Sequence, residues 1–287
     1  MKEKNTVSAA EMKEIERIAD KKGLSYRQMM ENAGTAAYEV MRQRWPDTRR
    51  IVIFAGKGNN GGDGFVIARL YASFFAGSEG GADAPEAGET GANGMGEASP
   101  QSGGREGEIT VVLCEGEPAT VDAEYNLGLL RGRKTKYLTV MSLDRYKESV
   151  NKTEDSPCCV RTFSGKFLSE PAPKTKDGGI QMSLRGMQAE LIVDALYGTG
   201  FQGALRENGI AAAALINESG ALVCALDLPS GINADTGQIA EGAVKADLTI
   251  AFHREKHGHR SAEAAPYCGE VVTVGIGIDE MEDKPVF

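Results

Sequence analysis

Short apolar runs rich in β-branched residues recur along the chain, separated by stretches with helical spacing. The runs Ile51-Val52-Ile53-Phe54-Ala55, Ile109-Thr110-Val111-Val112-Leu113-Cys114, 136–140, Glu190-Leu191-Ile192-Val193-Asp194, Ala221-Leu222-Val223-Cys224-Ala225-Leu226-Asp227, 247–252 and 269–278 predict strands. Most are apolar at successive positions, the pattern of strands buried on both faces. Ser8-Ala9-Ala10-Glu11 fits a capping box, after which Met12, Ile15 and Ile18 mark the apolar face of a helix that Gly23 stops. A second box, Ser25-Tyr26-Arg27-Gln28, opens a helix carrying Met29, Met30, Ala33, Ala37, Val40 and Met41, which ends near Trp45-Pro46. Asn32 and Gly34 interrupt that apolar face, as either close helix packing or a ligand contact. Strands alternating with helices make a parallel sheet covered on both sides, so the fold class is α/β, with two N-terminal helices ahead of the first strand.

Two stretches break the pattern. Residues 77–107 are almost entirely Gly, Ala, Ser, Glu and Pro, a composition that buries too little apolar surface to offset the entropy of ordering it; this predicts a disordered surface insertion. A polar segment near 142–186, with Cys158 and Cys159 inside it, reads as a second insertion of open structure. Residues 1–287 are otherwise read as one domain.

Candidate chemistry gathers where strands stop. After Ala55 the sequence runs Gly56-Lys57-Gly58-Asn59-Asn60-Gly61-Gly62-Asp63-Gly64, with Gly56, Gly58 and Gly61 in G-x-G-x-x-G spacing, and helical spacing is read from Phe65 onward. Such glycines let the backbone approach a phosphate at a helix start, although they serve close packing equally well. Asn59, Asn60 and Asp63 add side-chain oxygens that a packing turn does not need. A dinucleotide motif also wants an acid about 20 residues on; the insertion occupies that place, and Glu115 falls there once it is removed. Two later strands end on carboxylates, Asp194 and Asp227, followed by Gly198-Thr199-Gly200-Phe201-Gln202-Gly203 and by Leu228-Pro229-Ser230-Gly231. In a parallel sheet the carboxyl ends share one edge, so these three segments should converge.

Composition narrows the classes. A net charge of -9 over 287 residues argues against a nucleic-acid partner held by bulk electrostatics. The first residues lack the apolar core of a secretory signal and no run reaches the length of a membrane span, so the expectation is a cytoplasmic protein without a membrane partner. Five cysteines, without C-x-x-C spacing, read as reduced and mostly buried. His253, His257 and His259 offer a metal site, but the cations among them, Arg254, Lys256 and Arg260, favour a phosphate-contacting or solvated loop.

Met30-Glu31-Asn32-Ala33-Gly34, Gly58-Asn59-Asn60-Gly61-Gly62-Asp63-Gly64, Val193-Asp194-Ala195-Leu196-Tyr197-Gly198-Thr199-Gly200, Asp227-Leu228-Pro229-Ser230-Gly231, Lys256 and Gly275-Ile276-Gly277-Ile278 together resemble the NAD(P)H-hydrate epimerase family. This is the N-terminal domain of the bifunctional hydrate-repair proteins. The resemblance implies a three-layer α/β/α Rossmann-like domain, usually dimeric, that interconverts the R and S forms of NADHX and NADPHX. It implies that Asn59, Asn60, Gly61, Gly62 and Asp63, with Gly198, Thr199, Gly200, Phe201, Gln202, Gly203 and Ala204, hold the dinucleotide. Asp227 would contact the altered ring as the proton-transfer group, the alternative being a helix cap or cation ligand. Lys256 would offset phosphate charge or orient water, and Asn60, Asp194 and Ser230 would bind a potassium ion. The separate dehydratase domain of the family is expected on another protein. Rival readings are a non-catalytic nucleotide- or RNA-binding scaffold of the same fold, which degraded site motifs would mark, and an ordinary NAD-dependent oxidoreductase, for which no hydride-acceptor site is found.

Overall fold

Ile51, Ile53 and Ala55 of the first strand face one side of the sheet, Val52 and Phe54 the other, and all five are buried. That two-sided burial makes β1 (Arg50–Ala55) an interior strand of a parallel sheet. The computed structural model describes residues 6–77, 107–133, 135–151 and 189–281. Within them β2 (Glu108–Leu113), β3 (Leu138–Ser142), β4 (Leu191–Ala195), β5 (Leu222–Leu226), β6 (Leu248–Phe252) and β7 (Glu270–Val274) join β1 in the order β3-β2-β1-β4-β5-β6-β7. Every pairing is parallel. The chain runs outward from β1 to β3, then returns to place β4 beside β1. Between β1 and β4 the order reverses, which opens the crevice where such sheets take ligands.

Helices cover both faces. On one side lie α1 (Ala9–Lys21), α2 (Tyr26–Arg44), α3 (Asn59–Phe75) and α4 (Val121–Gly132), packed through Met12, Met41, Phe65, Tyr71 and Leu127. On the other, α5 (Leu143–Asn151) and α6 (Glu207–Glu218) bury Tyr146, Val150, Ala212 and Ile216. The architecture is the three-layer α/β/α, Rossmann-like domain.

Several boundaries differ from the sequence reading. Both capping serines act as expected: Ser8 and Glu11 close a reciprocal box, and Ser25 accepts from the Gln28 N–H. Met12 and Ala19 line the buried face of α1, however, while Ile18 is exposed. The third helix begins at Asn59, so most of the glycine stretch is its first turns and the true loop is only Gly56-Lys57-Gly58. The segment near 142–186 opens with α5; residues 152–188 lie outside the described residues, as does nearly all of the expected insertion at 77–107. The final strand stops at Val274, and Gly275-Ile276-Gly277-Ile278 forms a loop instead.

Asn32 and Gly34 are structural. Asn32 Nδ2 donates to the Ile276 carbonyl at 2.9 Å, clamping that loop. A Cβ at Gly34 would lie 2.5 Å from Val66 Cβ, so its absence lets α2 lie directly on α3.

Candidate active site

Directly after β5 comes Asp227, whose φ of 65° is a left-handed conformation that Asp tolerates better than most residues. Neighbours hold the residue there. Its backbone N–H donates to the Ile250 carbonyl at 2.8 Å and its carbonyl accepts from His259 Nε2 at 2.7 Å. On the side chain, Oδ1 accepts from the Lys256 ammonium and from the Phe252 N–H at 3.4 Å, and Oδ2 accepts from the Thr199 N–H at 3.3 Å. Lys256 is fully buried and also donates to the Phe252 carbonyl at 3.0 Å. The Asp227–Lys256 ion pair thus sits out of water, where an unmatched charge would be costly.

His259 orders both partners. Its Nδ1 accepts from the Lys256 N–H at 2.8 Å while Nε2 faces the Asp227 carbonyl, which only an Nε2–H can satisfy. Burial holds the imidazole below its usual pKa, against the pull of Asp227, and keeps it neutral. The histidine loop is only partly solvated: His257 and Arg260 are exposed, whereas His253 and His259 are buried. Among the described residues no group of three or more His, Cys, Asp or Glu is placed to hold a metal ion. The loop's cations are spent within the protein: Lys256 on Asp227, Arg260 on Glu255 at 2.6 Å and Arg254 near Asp279 at 3.8 Å.

Asp194, at the end of β4, has a different setting. It is wholly buried and faces no cation among the described residues; Oδ1 accepts from Ser230 Oγ at 2.6 Å and the Leu196 N–H at 3.2 Å, and Oδ2 from the Ser230 N–H at 2.8 Å. Ser230 Oγ in turn accepts from the Tyr197 N–H at 3.0 Å. Burial raises the Asp194 carboxyl and the Ser230 and Leu196 donors pull it part of the way back, leaving it at about 6.

Most of the glycines after β1 serve packing. A Cβ on Gly56 would meet the Leu196 carbonyl oxygen at 2.0 Å, one on Gly61 the Gly56 carbonyl oxygen at 2.1 Å, and one on Gly62 the Met30 sulfur at 2.6 Å. Gly58 alone of this group has open space beside it. Asn59 is exposed, but Asn60 is buried and its Nδ2 has no hydrogen-bond partner among the described residues. Asp63 is buried one turn further along α3; burial, then the negative charges of Asp227 and Glu16, hold its carboxyl well above the usual range.

The convergence expected at this edge is present. A Cβ on Gly198 would stand 3.4 Å from Asn60 Oδ1 and 3.4 Å from Asp227 Oδ2, so the segments after β1, β4 and β5 meet across that glycine. Thr199 joins them through its N–H. The Phe201 side chain turns instead into the apolar layer beside Tyr197, with 5.4 Å between ring centroids, and Gln202, Gly203 and Ala204 are exposed. Glu115 accepts from the Tyr197 hydroxyl at 2.8 Å and lies 3.4 Å from Arg206.

A left-handed aspartate paired with a buried lysine, at the reversal of a parallel sheet and beside an orphaned asparagine amide, can be set against known proteins. The family described as "YjeF-related protein N-terminus" matches residues 26–73 and 104–258. The chain belongs to this family. An "NAD(P)H-hydrate epimerase" of Cenarchaeum symbiosum (strain A) is 28% identical over 98% of this chain and 99% of its own length. Another so named, from Nitrosopumilus maritimus (strain SCM1), is 27% identical over the same shares. The "Bifunctional NAD(P)H-hydrate repair enzyme Nnr" of Coxiella burnetii (strain RSA 493 / Nine Mile phase I) is 30% identical over 96% of this chain, which spans 42% of that enzyme. The crystal structure of the yeast protein YNL200c superposes with a TM-score of 0.59 over 98% of this chain and 95% of that one, at 16% identity.

Within this YjeF-related domain the residues named for potassium form an oxygen-only set. Asp194 is a buried carboxylate without a cation, Ser230 keeps a lone pair beside it, and Asn60 carries an amide oxygen at the same edge. Hard donors around an unmatched negative charge suit an alkali cation better than zinc. The sequence reading did not find His259 as a positioning residue, nor Glu16 of α1, a half-buried carboxyl whose electrostatic neighbours include Asp227 and Lys256. Cys114, Cys224 and Cys268 are buried free thiols, as expected, and Cys158 and Cys159 lie outside the described residues. Among the described residues no helix is long and apolar enough to cross a membrane.

Proposed function

We propose that this chain is an NAD(P)H-hydrate epimerase, interconverting the R and S forms of NADHX and NADPHX. The observation that carries it is the Asp227–Lys256–His259 assembly, fixed in a left-handed turn beside Asn60 and the Thr199 N–H, in a chain aligned end to end with proteins named as epimerases. The intact site motifs leave no support for a non-catalytic scaffold.

The hydrated carbon of the substrate bears both a hydroxyl and the ring nitrogen. Loss of the hydroxyl as water leaves an iminium, and addition of water to the other face gives the second epimer. Asp227 exchanges the proton in this reading. Lys256 holds its carboxylate in place and compensates its charge, and His259 fixes the backbone of both. The Asn60 Nδ2–H and the N–H of Thr199 are donors for substrate oxygens. Asn59, Gly61, Gly62 and Asp63 with Gly198 to Ala204 form the rest of the dinucleotide cradle, Phe201 through its main chain. A potassium ion held by Asn60, Asp194 and Ser230 would supply positive charge at this edge. The working form is a cytoplasmic homodimer, and a dehydratase activity consumes one epimer.

The test supplies purified R-NADPHX and follows S-NADPHX by chromatography for the wild type and Asp227→Ala. Epimerisation well above the spontaneous rate, lost in the variant, is expected. A wild-type rate equal to the spontaneous one overturns the activity; a fully active variant overturns the role of Asp227.

A further inference from the structure

A conversion between R and S moves a hydroxyl from one face of the ring to the other. A carboxylate fixed on one face reaches the water that leaves or the water that enters, not both, so a second proton-handling group is needed opposite it. Asp227 is fixed: three donors hold its two oxygens and its backbone is pinned at both N–H and carbonyl.

On α1, Met12 and Ala19 are buried, and Glu16 is four residues after one and three before the other. It therefore lies on the same buried face. The start of α1 is stitched to the loop that carries Lys256: Val7 pairs with Lys256 as a parallel bridge, the Val7 N–H donates to the Glu255 carbonyl at 2.9 Å, and the His257 N–H donates to the Val7 carbonyl at 3.1 Å. Its far end is held where Lys22 Nζ donates to the Met281 carbonyl at 2.9 Å. Between these anchors the half-buried Glu16 side chain has Asp227 and Lys256 among its electrostatic neighbours and no hydrogen bond or ion pair among the described residues. Asp227 and Lys256 from the sheet edge, Asp63 from α3, Tyr26 from α2 and Lys13 from its own helix are the ionisable groups around it. Burial and then the charge of Asp227 raise its carboxyl to about 7, Lys256 and Lys13 opposing. Asp63 is enclosed more deeply, whereas Glu16 keeps partial access to water and can exchange its proton between turnovers.

We propose that Glu16 is the second acid–base group of this site, serving the ring face opposite Asp227. This rests on the epimerase reading above. Protonated Glu16 gives its proton to the departing hydroxyl; the C–O bond breaks with its electron pair, water leaves, and the ring carbon and nitrogen become an iminium. Water then adds to the other face, the new C–O bond forms, and Asp227 takes the proton released. In the reverse direction the two carboxyls exchange roles, and no oxidant or reductant is consumed.

The R-to-S direction starts with the pair's one proton on Glu16 if Glu16 faces the R hydroxyl, and kcat/KM falls as pH rises through about 7, where the pair loses that proton. The opposite epimer starts with that one proton on Asp227 instead, and because the two epimers differ by no proton the ratio of their kcat/KM values is fixed by the equilibrium constant, so both profiles share the same limb. Initial rates for each purified epimer, measured from about pH 5 to about pH 9 for the wild type and Glu16→Gln, test this, together with carbon-13 carboxyl titration of the same two proteins without substrate. Expected are coincident falling limbs near pH 7 for the two epimers in the wild type. In Glu16→Gln, kcat drops about 10²-fold or more at little change in KM, both limbs disappear from the residual rate, and a carboxyl signal titrating near neutrality is lost while the thermal midpoint is retained. Wild-type kcat and limbs in Glu16→Gln, or a Glu16 signal titrating in the ordinary carboxylate range, overturn the proposal and leave the epimerase reading standing. No epimerisation by the wild type overturns that reading, and this proposal with it.

Discussion

Asp194 and Asp227 end neighbouring strands of one sheet, yet the protein treats them in opposite ways. Asp194 is enclosed by uncharged donors from Ser230 and Leu196 and meets no positive charge among the described residues. Asp227 has the Lys256 ammonium against it, a left-handed backbone and an imidazole holding its carbonyl. The first is a carboxylate whose charge is left for something else to match, which suits a cation site. The second is a charge already matched and aimed, which suits an acid–base group. In the sequence both are an aspartate after an apolar strand; the partners make the roles.

The largest expected effect comes from breaking the matched charge. Asp227→Ala leaves the Lys256 ammonium buried without a partner and should cost about 3–5 kcal/mol in urea unfolding, as should Lys256→Met, which strands the carboxylate. The double variant should recover most of that stability and none of the epimerisation. Additive losses would mean that the two side chains do not form one unit.

An intermediate effect tests the unmatched charge. The folded-state pKa of Asp194, about 6, lies above its ordinary 3.8, so the folded protein holds a proton that the unfolded chain has released. Its contribution to stability therefore declines as pH rises from about 4 to about 6. Against Asp194→Asn, the wild-type thermal midpoint should fall by a few degrees across that window. Potassium chloride in place of tetramethylammonium chloride should restore those degrees in the wild type alone; parallel curves for both proteins would remove the contrast.

Smallest should be Gly198→Ala, whose methyl enters between the two rims at ordinary contact distance from Asn60 and Asp227. Stability should change by less than about 1 kcal/mol while KM rises with little change in kcat. An unchanged KM would place the substrate elsewhere.

Much of this was legible in the chain. Two-sided apolar strands gave the parallel sheet, and carboxylates at strand ends gave its working edge. Asn59 and the glycines after it are poor helix formers, yet they are helical because α3 must lie close on β1, β4 and α2; tertiary packing overrides propensity there. Glu16 was hidden because Met12, Ile15 and Ile18 were read as the apolar face of α1, whereas Met12 and Ala19 are buried and the glutamate lies between them. That face was present in the sequence as a small residue and a charged one, which periodicity discounts. His259 gave no signal, since nothing in a basic run tells which imidazole folds inward.

The hook between the segment before α1 and the Lys256 loop joins residues 251 positions apart, as at Thr6 Oγ1 and His257 Nδ1, 2.8 Å from each other. Closing so long a loop is slow, and on a ribosome it waits until the Lys256 loop has left the exit tunnel. The nascent chain can therefore gather most of its sheet while still unable to turn over anything, and competence arrives only once that late loop is free to fold back.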